Sequence, residues 1–180
     1  NDILKLAGVN NMGVSVVDLS SSTDQLTQLN GSLNSAAQTK FESIDLSGLS
    51  GTFGANITGS SGANTIVGTA NVDNIVAGEG ADTINGGAGA DTIDLTESTS
   101  AVDTLIYAAA ANGDSVTGFN VAKDVLKFID GGSDVYGSAS KLFVLGTQTA
   151  LKAATFTHSN IIVITSAVTQ SGSAIQTAIA

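Results

Sequence analysis

Four Asp or Asn residues recur at intervals of nine in the middle of the chain, and the stretches between them are rich in glycine. They are Asn64, Asp73, Asp82 and Asp91. Carboxylates on tight turns, alternating with glycine carbonyls, supply the oxygen ligands that calcium takes in sets of six to eight. Without a cation, stacked aspartates would bring like charges together and raise the free energy of the folded chain. The spacing therefore predicts calcium sites on which folding depends.

The elements that must position these residues are visible in a second series with the same period. Ile66, Ile75, Ile84 and Ile93 are each nine residues apart, and Ile57 extends the series backwards. In each block, six residues suit a tight turn and three, such as Thr83-Ile84-Asn85, suit a short strand with its central side chain buried. Two blocks, or about 18 residues, would make one coil of a parallel β-solenoid with stacked isoleucines between two sheets.

The last two blocks carry a resemblance to a known family. Residues 86–94 fit the pattern Gly-Gly-x-Gly-x-Asp-x-Ile-x at every specified position, and residues 77–85 depart from it only at Ala77. This resembles the calcium-binding nonapeptide repeat of the RTX proteins. The resemblance implies an all-β fold, a parallel β-roll or β-solenoid with calcium between turns on the same edge, capped by a short β-rich C-terminal segment.

The resemblance also implies which residues bind calcium. Asp73 and Asp91 would share one edge of the roll, and Asp82 would share the other with Asn64. Carbonyl oxygens would complete the ligand shells, from Gly78, Gly80, Gly87 and Gly89. The family's further calcium positions map to Asp103 and Asp114, whereas Asp124, Asp130 and Asp134 are assigned to solvated turns.

The sequence divides into four parts of one continuous elongated domain. These are an irregular β-solenoid lead-in (1–56), the nonapeptide ladder (57–94), a ladder-closing β segment (95–145), and a C-terminal strand with a secretion-signal tail (146–180). In the closing segment, Tyr107, Phe119 and Phe128 suit a capping role. Residues 2–6 echo residues 124–128, which predicts that the chain begins inside a larger array.

Strands are predicted outside the ladder where apolar and polar residues alternate or aliphatic residues cluster. The predicted strands are 14–19, 41–46, 143–145 and 161–164. Residues 21–29 suit either a short capped helix or a long loop, and residues 173–179 suit a helix.

Composition excludes several other functions. The chain has no Cys and only His158, which the sequence places in a surface turn, so neither a thiol centre nor a zinc site rich in nitrogen and sulfur can form. Its 16 acidic residues against 6 lysines give a net charge of −10, which repels nucleic acid and anionic lipid. No apolar run approaches the roughly 18 residues of a membrane span. The Gly-x-Ser-x-Gly elbow of many hydrolases is missing, and the ladder aspartates are committed to metal rather than to sugar hydrolysis.

These observations favour a non-catalytic calcium-binding module of a secreted bacterial surface protein, of surface-layer or adhesin type. Resemblance to RTX proteins implies export through type I secretion machinery and folding in extracellular calcium. The surface-layer or adhesin hypothesis adds self-association into a lattice or contact with a neighbouring surface protein. One alternative is the C-terminal secretion module of an exoenzyme such as a protease or lipase. A carbohydrate-binding roll is disfavoured, because six scattered lysines and no arginine make no basic groove.

Overall fold

Two sheets make up the fold in the computed structural model, which describes residues 2–108, 113–120, 122–130, 133–134, 142–146 and 161–165. The first sheet contains β1 (Ile3–Asn10), β5 (Ser43–Gly51), β7 (Thr65–Val67), β9 (Thr83–Asn85), β11 (Thr104–Ala108), β13 (Val125–Asp130) and β14 (Ser133–Asp134). The second contains β2 (Ser15–Asp18), β3 (Leu26–Leu29), β4 (Ser32–Leu33), β6 (Ala55–Thr58), β8 (Asn74–Val76), β10 (Thr92–Asp94), β12 (Ser115–Thr117), β15 (Leu142–Gly146) and β16 (Ile161–Thr165). The described residues include no helix.

The chain crosses from one sheet to the other after every strand from β5 to β12. Successive strands within each sheet are parallel over this stretch, so Ile66 pairs with Ile84 and Ile75 pairs with Ile93. Two nine-residue blocks therefore make one coil. The predicted all-β parallel β-roll is confirmed.

The nine-residue isoleucine series forms the centre of the core. Ile57, Ile66, Ile75, Ile84 and Ile93 are at most 1% exposed, whereas the residues on either side of each one are exposed or half-buried. Burial of an isoleucine side chain contributes roughly 1.5–3 kcal/mol, so a short strand gains most of its stability from one residue. The same apolar cluster continues without a break from Leu4 in β1 to Phe119 after β12.

A tripeptide that the sequence analysis did not single out occurs at the ends of β2 and β10 and near the start of β5. It begins at Asp18, Asp45 and Asp94 and reads Asp-Leu-Ser or Asp-Leu-Thr. In each, the Asp Oδ1 accepts the backbone N–H two residues later, at 2.9, 3.0 and 2.9 Å, and the intervening leucine is buried. In all three places the leucine adds a core residue at the position where the ladder's full repeat has its first glycine.

Most of the predicted strands lie where they were expected. Residues 14–19 and 41–46 contain β2 and the start of β5, and the two C-terminal predictions correspond to β15 and β16. The prediction for residues 21–29 was wrong, since residues 26–29 form β3, which pairs antiparallel with β2. Asp24 fixes a turn before this strand by accepting the N–H groups of Leu26 and Gln38, and Leu26 is then buried in the core.

Several sequence predictions fall outside the described residues. They are the helix at 173–179, the rest of the tail, His158 and the side chains of Phe128, Asp130 and Asp134. Tyr107 and Phe119, the other two residues given a capping role, are both buried in the core. The division of the chain into four parts remains a prediction.

Candidate metal centre

The acidic residues of the turns form two columns, one along each edge of the roll. The Asp82 column contains Asn64, Asp82, Asp103 and Asp124, and the Asp91 column contains Asp73, Asp91 and Asp114. Neighbouring members are linked because the backbone N–H of one donates to Oδ1 of the next. Asp73 N–H lies 2.9 Å from Asp91 Oδ1, and Asp82 N–H lies 2.9 Å from Asp103 Oδ1.

The columns bring together every Asp and Asn side chain that the sequence analysis selected as a ligand. They also include Asp124, which the sequence analysis assigned to a solvated turn. Its Oδ1 accepts the N–H of Asp103 at 3.1 Å and its Oδ2 accepts the N–H of Asn120 at 2.6 Å. The signal that could have found it is a second spacing, since Asp82, Asp103 and Asp124 lie 21 residues apart.

Most of these carboxylates are buried. Asp73, Asp82, Asp91 and Asp103 are each 1% exposed. Lys5 forms an ion pair with Asp45, which belongs to neither column. Burial raises the pKa of Asp82 and of Asp91 to about 7, and that of Asp73 and of Asp103 to about 6.

Two carboxylate oxygens at the centre of the columns lack partners. Asp82 Oδ2 and Asp91 Oδ2 are buried and accept no hydrogen bond from any residue that the structure describes. Burying such an atom unpaired is costly, and the cost is greatest when the group is charged. Both oxygens therefore suit a bound cation.

The glycines of these turns allow successive coils to stack backbone on backbone. Gly87 has a φ of +97°, and a Cβ there would collide with the carbonyl oxygen of Thr69 in the coil before it. Gly78 shows the same arrangement, with a φ of +98° and Ser60 as its neighbour. Gly80 and Gly89 also have positive φ. These positions accept no other residue without strain, and they keep four carbonyl-bearing peptides on the turns that carry Asp82 and Asp91.

The donor set favours calcium over a softer metal. No group of three or more His, Cys, Asp or Glu side chains is placed to hold a metal ion within the part of the chain that is described. A cation at either edge would thus need backbone oxygens in addition to two carboxylates. An all-oxygen set of this kind suits calcium, whereas zinc prefers nitrogen and sulfur.

A comparison with family models decides what the ladder is. Residues 58–93 match the model of the RTX calcium-binding nonapeptide repeat, which spans four copies. This segment is an RTX calcium-binding ladder. A search of curated proteins and a search of solved structures each gave no significant match to the chain.

The RTX match establishes the cofactor and the general role of the ladder. RTX nonapeptide repeats bind calcium, are generally structural rather than catalytic, and occur in secreted bacterial proteins. The ladder thus supports a calcium-binding structural module of a secreted protein. No helix among the described residues is long and apolar enough to cross a membrane.

Two glutamates outside the RTX consensus join the Asp82 edge, and the sequence analysis missed them. Glu79 accepts the N–H groups of Ser98 and Thr99 at 2.8 and 3.1 Å. In return, Glu97 accepts the N–H of Gly80 at 2.8 Å. The exchange fixes the inserted loop of residues 95–101 against the turn below it. The charge of Glu97 also contributes to the raised pKa values of Asp82 and Asp103.

The Asp91 column ends at a neutral group. The backbone N–H of Asp114 donates to Tyr107 Oη at 3.2 Å, where the pattern would otherwise call for another carboxylate. Burial, reinforced by the nearby charge of Asp114, raises the pKa of Tyr107 above its ordinary value. The hydroxyl therefore stays protonated, and the Asp91 column ends without an added charge.

Proposed function

We propose that this chain is a calcium-switched structural module of a bacterial cell-surface protein, of surface-layer or adhesin type. The observation that carries the proposal is the pair of buried, unpartnered oxygens, Asp82 Oδ2 and Asp91 Oδ2. When bound, calcium supplies positive charge to the columns and a partner for these oxygens. The chain's own residues supply the frame, because the isoleucine core fixes the position of each turn.

The free energy of calcium binding becomes free energy of folding in this scheme. An unfolded chain keeps its carboxylates in water, whereas the folded chain buries Asp73, Asp82, Asp91 and Asp103. Extracellular modules bind calcium with affinities of about 10⁻⁴–10⁻³ M. At a calcium concentration about 100 times the Kd, each site stabilises the fold by about 2.7 kcal/mol. At cytosolic calcium levels this stabilisation is lost, which would leave the calcium-dependent coils unfolded for passage through a type I exporter.

Assignment to a surface-layer or adhesin protein is supported by the composition and by the lead-in. The sequence has no Cys and no Arg, and the coils before the ladder are irregular. Strand β1 pairs with β5, whose residues lie 40 positions later in the sequence, whereas paired ladder strands are separated by 18 positions. Such coils suit a solenoid that continues a surface array. An exoenzyme's secretion module would use the same ladder, so the two proposals differ in whether calcium drives assembly.

Sedimentation velocity of the purified chain tests the proposal. It is run in chelator, in about 10 mM calcium and in the same concentration of magnesium. About 10 mM calcium exceeds the expected Kd for calcium by at least tenfold. We expect calcium alone to convert a slow, expanded species into a faster one and then into large assemblies. A compact monomer that never assembles would favour the exoenzyme module. Sedimentation unchanged by calcium would contradict the calcium switch itself.

A further inference from the structure

The four turns of the RTX ladder belong to one family pattern, but they adopt two conformations. We call residues 59–64 and 68–73 the closed turns, and residues 77–82 and 86–91 the open turns. The two kinds differ in the second residue, which carries a hydroxyl in the closed turns and is glycine in the open turns. These second residues are Ser60 and Thr69 in the closed turns, and Gly78 and Gly87 in the open turns.

In the closed turns, the second residue already satisfies the side chain at the end of the turn. Thr69 donates its N–H to Asp73 Oδ2 at 2.7 Å, and its Oγ1 lies 2.9 Å from Asp73 Oδ1. Ser60 repeats the arrangement, with its N–H 2.7 Å and its Oγ 3.1 Å from Asn64 Oδ1. In each closed turn, the Asp or Asn side chain therefore accepts hydrogen bonds from the second residue of its own turn. In the open turns, the second residue is a glycine and provides no hydroxyl.

In the open turns, the backbone directs the same donor elsewhere. Because Gly87 is left-handed, its N–H donates to Asn85 Oδ1 at 3.0 Å and does not reach the carboxylate of its own turn. Asp91 Oδ2 and Asp82 Oδ2 remain as the two buried oxygens that accept nothing from the described chain. The fourth residue does not decide the conformation, since Gly62 stands there in a closed turn and keeps a φ outside the left-handed region.

We propose that Ser60 and Thr69 substitute for calcium in the closed turns, so that calcium is held by the open-turn carboxylates Asp82 and Asp91 and not by Asn64 or Asp73. A cation that bound Asp73 would have to displace N–H and O–H donors already in place, whereas Asp91 Oδ2 has no such bond to lose. Asn64 contributes no charge at all. This inference rests on the proposed calcium binding and narrows it to half of the matched repeats.

The arrangement gives the roll a direction of folding. The closed turns lie next to the lead-in, and their hydrogen bonds form without metal. Because each coil of a solenoid is stabilised mainly by its neighbours, the closed half can serve as a template on which calcium orders the open half. Coupling between the halves is direct, since the N–H groups of Asn64 and Asp73 donate to Asp82 and Asp91 at 2.7 and 2.9 Å.

A matched pair of variants in the Asp91 column tests the assignment by calorimetric calcium stoichiometry. We expect Asp73→Asn to bind as many calcium ions as the wild-type chain and Asp91→Asn to bind at least one fewer. Asparagine fits the closed turn, because Asn64 occupies the equivalent position beside Ser60. Loss of one ion in both variants would overturn the inference while leaving the proposed function intact. A wild-type chain that binds no calcium would instead reject the proposed function.

A gain of binding provides the second test and does not depend on a loss of stability. The double substitution Thr69→Gly with Asn71→Gly gives residues 68–73 the glycine pattern of an open turn, and we expect one additional calcium ion. Thr69→Val is the control, since it removes the hydroxyl without providing a glycine, and it should gain no ion. An unchanged stoichiometry in the double variant, with wild-type binding intact, would contradict the role given to the second residue.

Hydrogen exchange of the wild-type chain in chelator gives an independent readout. We expect the amides of residues 55–76 to exchange at least about tenfold more slowly than those of residues 83–94, because only the former belong to coils closed without metal. Calcium should remove the difference. Equal exchange of the two segments in chelator would mean that the closed turns do not fold ahead of the open ones.

Discussion

The lead-in and the ladder share the same two sheets and one apolar core, but they satisfy their buried turns with different chemistry. The lead-in uses neutral amides. Asn10 donates to the carbonyl oxygens of Phe53 and Gly54 at 2.8 and 3.1 Å, and Gln25 donates to that of Leu19 at 2.9 Å. The ladder uses carboxylates, and in its open turns one oxygen of each lacks a partner among the described groups.

The difference separates what holds the roll together from what makes it depend on calcium. Packing of aliphatic side chains between the sheets is common to both regions, and it requires nothing from solution. The turns decide whether the folded state carries uncompensated charge. A solenoid can therefore join metal-independent and metal-dependent coils without altering its core.

The largest expected effect tests the part that the two regions share. Ile84→Ala in the ladder and Leu46→Ala in the lead-in each empty a fully buried site, and each should lower the free energy of unfolding by about 2–5 kcal/mol. Urea denaturation in saturating calcium measures both. Val76→Ala, at a side chain 37% exposed, is the control and should cost under about 0.5 kcal/mol. A cost confined to the ladder variant would show that the regions do not share one core.

The next effect distinguishes the backbone of the two kinds of turn. Gly87→Ala places a Cβ in a left-handed position against the carbonyl of Thr69, and it should cost about 2–4 kcal/mol through strain and collision. Gly62→Ala is its matched control in a closed turn, where a Cβ would lie 3.9 Å from its nearest neighbour, Ser60 Oγ. Thermal unfolding of both variants in calcium should show a large loss for the first alone. Similar melting temperatures would argue against backbone stacking at Gly87.

A charge-removing substitution should change sign with calcium. Asp82→Asn removes a buried charge whose Oδ2 has no partner in the described structure, so it should stabilise the chain in chelator by about 1–3 kcal/mol. In calcium the same change removes a ligand and should destabilise the chain. The reverse change in the lead-in, Asn10→Asp, should destabilise under both conditions. Denaturant midpoints measured with calcium and in chelator test this prediction. If Asp82→Asn changes stability in the same direction under both conditions, that result would count against a calcium site at this edge.

The last effect is the dependence of the metal-free chain on pH. The pKa values of Asp82 and Asp91 rise from an ordinary 3.8 to about 7 on folding, so between these values the folded state binds more protons than the unfolded state. Stability without calcium should therefore increase as the pH falls from about 7 towards 4. Sedimentation in chelator should show a more compact chain at pH 5 than at pH 7.5. Greater expansion at pH 5 would be incompatible with buried, unpaired carboxylates.

The repeating part of this fold could be predicted from the sequence because one residue type dominates each position. A nine-residue isoleucine series specifies alternating sheets, and the Asp series with the same period then has to lie along the edges. The strand at residues 26–29 escaped prediction because its pairing with β2 is tertiary. Its local sequence, Ser-Ser-Thr-Asp-Gln-Leu, also reads as a helix cap.

The difference between the turns depends on features that the residue types suggest but do not determine. A serine or threonine in a turn can face solvent or the carboxylate of the same turn, and the residue type alone does not select between them. Glu79 and Glu97 were missed for a similar reason. The hydrogen bonds that they accept require the loop of residues 95–101 to return over a turn some 17 residues earlier, as in the bond from Gly80 N–H to Glu97.

Tyr107 gives the Asp91 column a defined terminus. Because the hydroxyl receives an amide that would otherwise need a carboxylate, the coils before it can change in number without exposing an unmatched end. Duplication or deletion of one 18-residue unit between β8 and β10 would leave both the amide-rich start and the phenolic stop unaltered. The ladder can therefore lengthen or shorten by one coil at a time, as is common among repeat proteins.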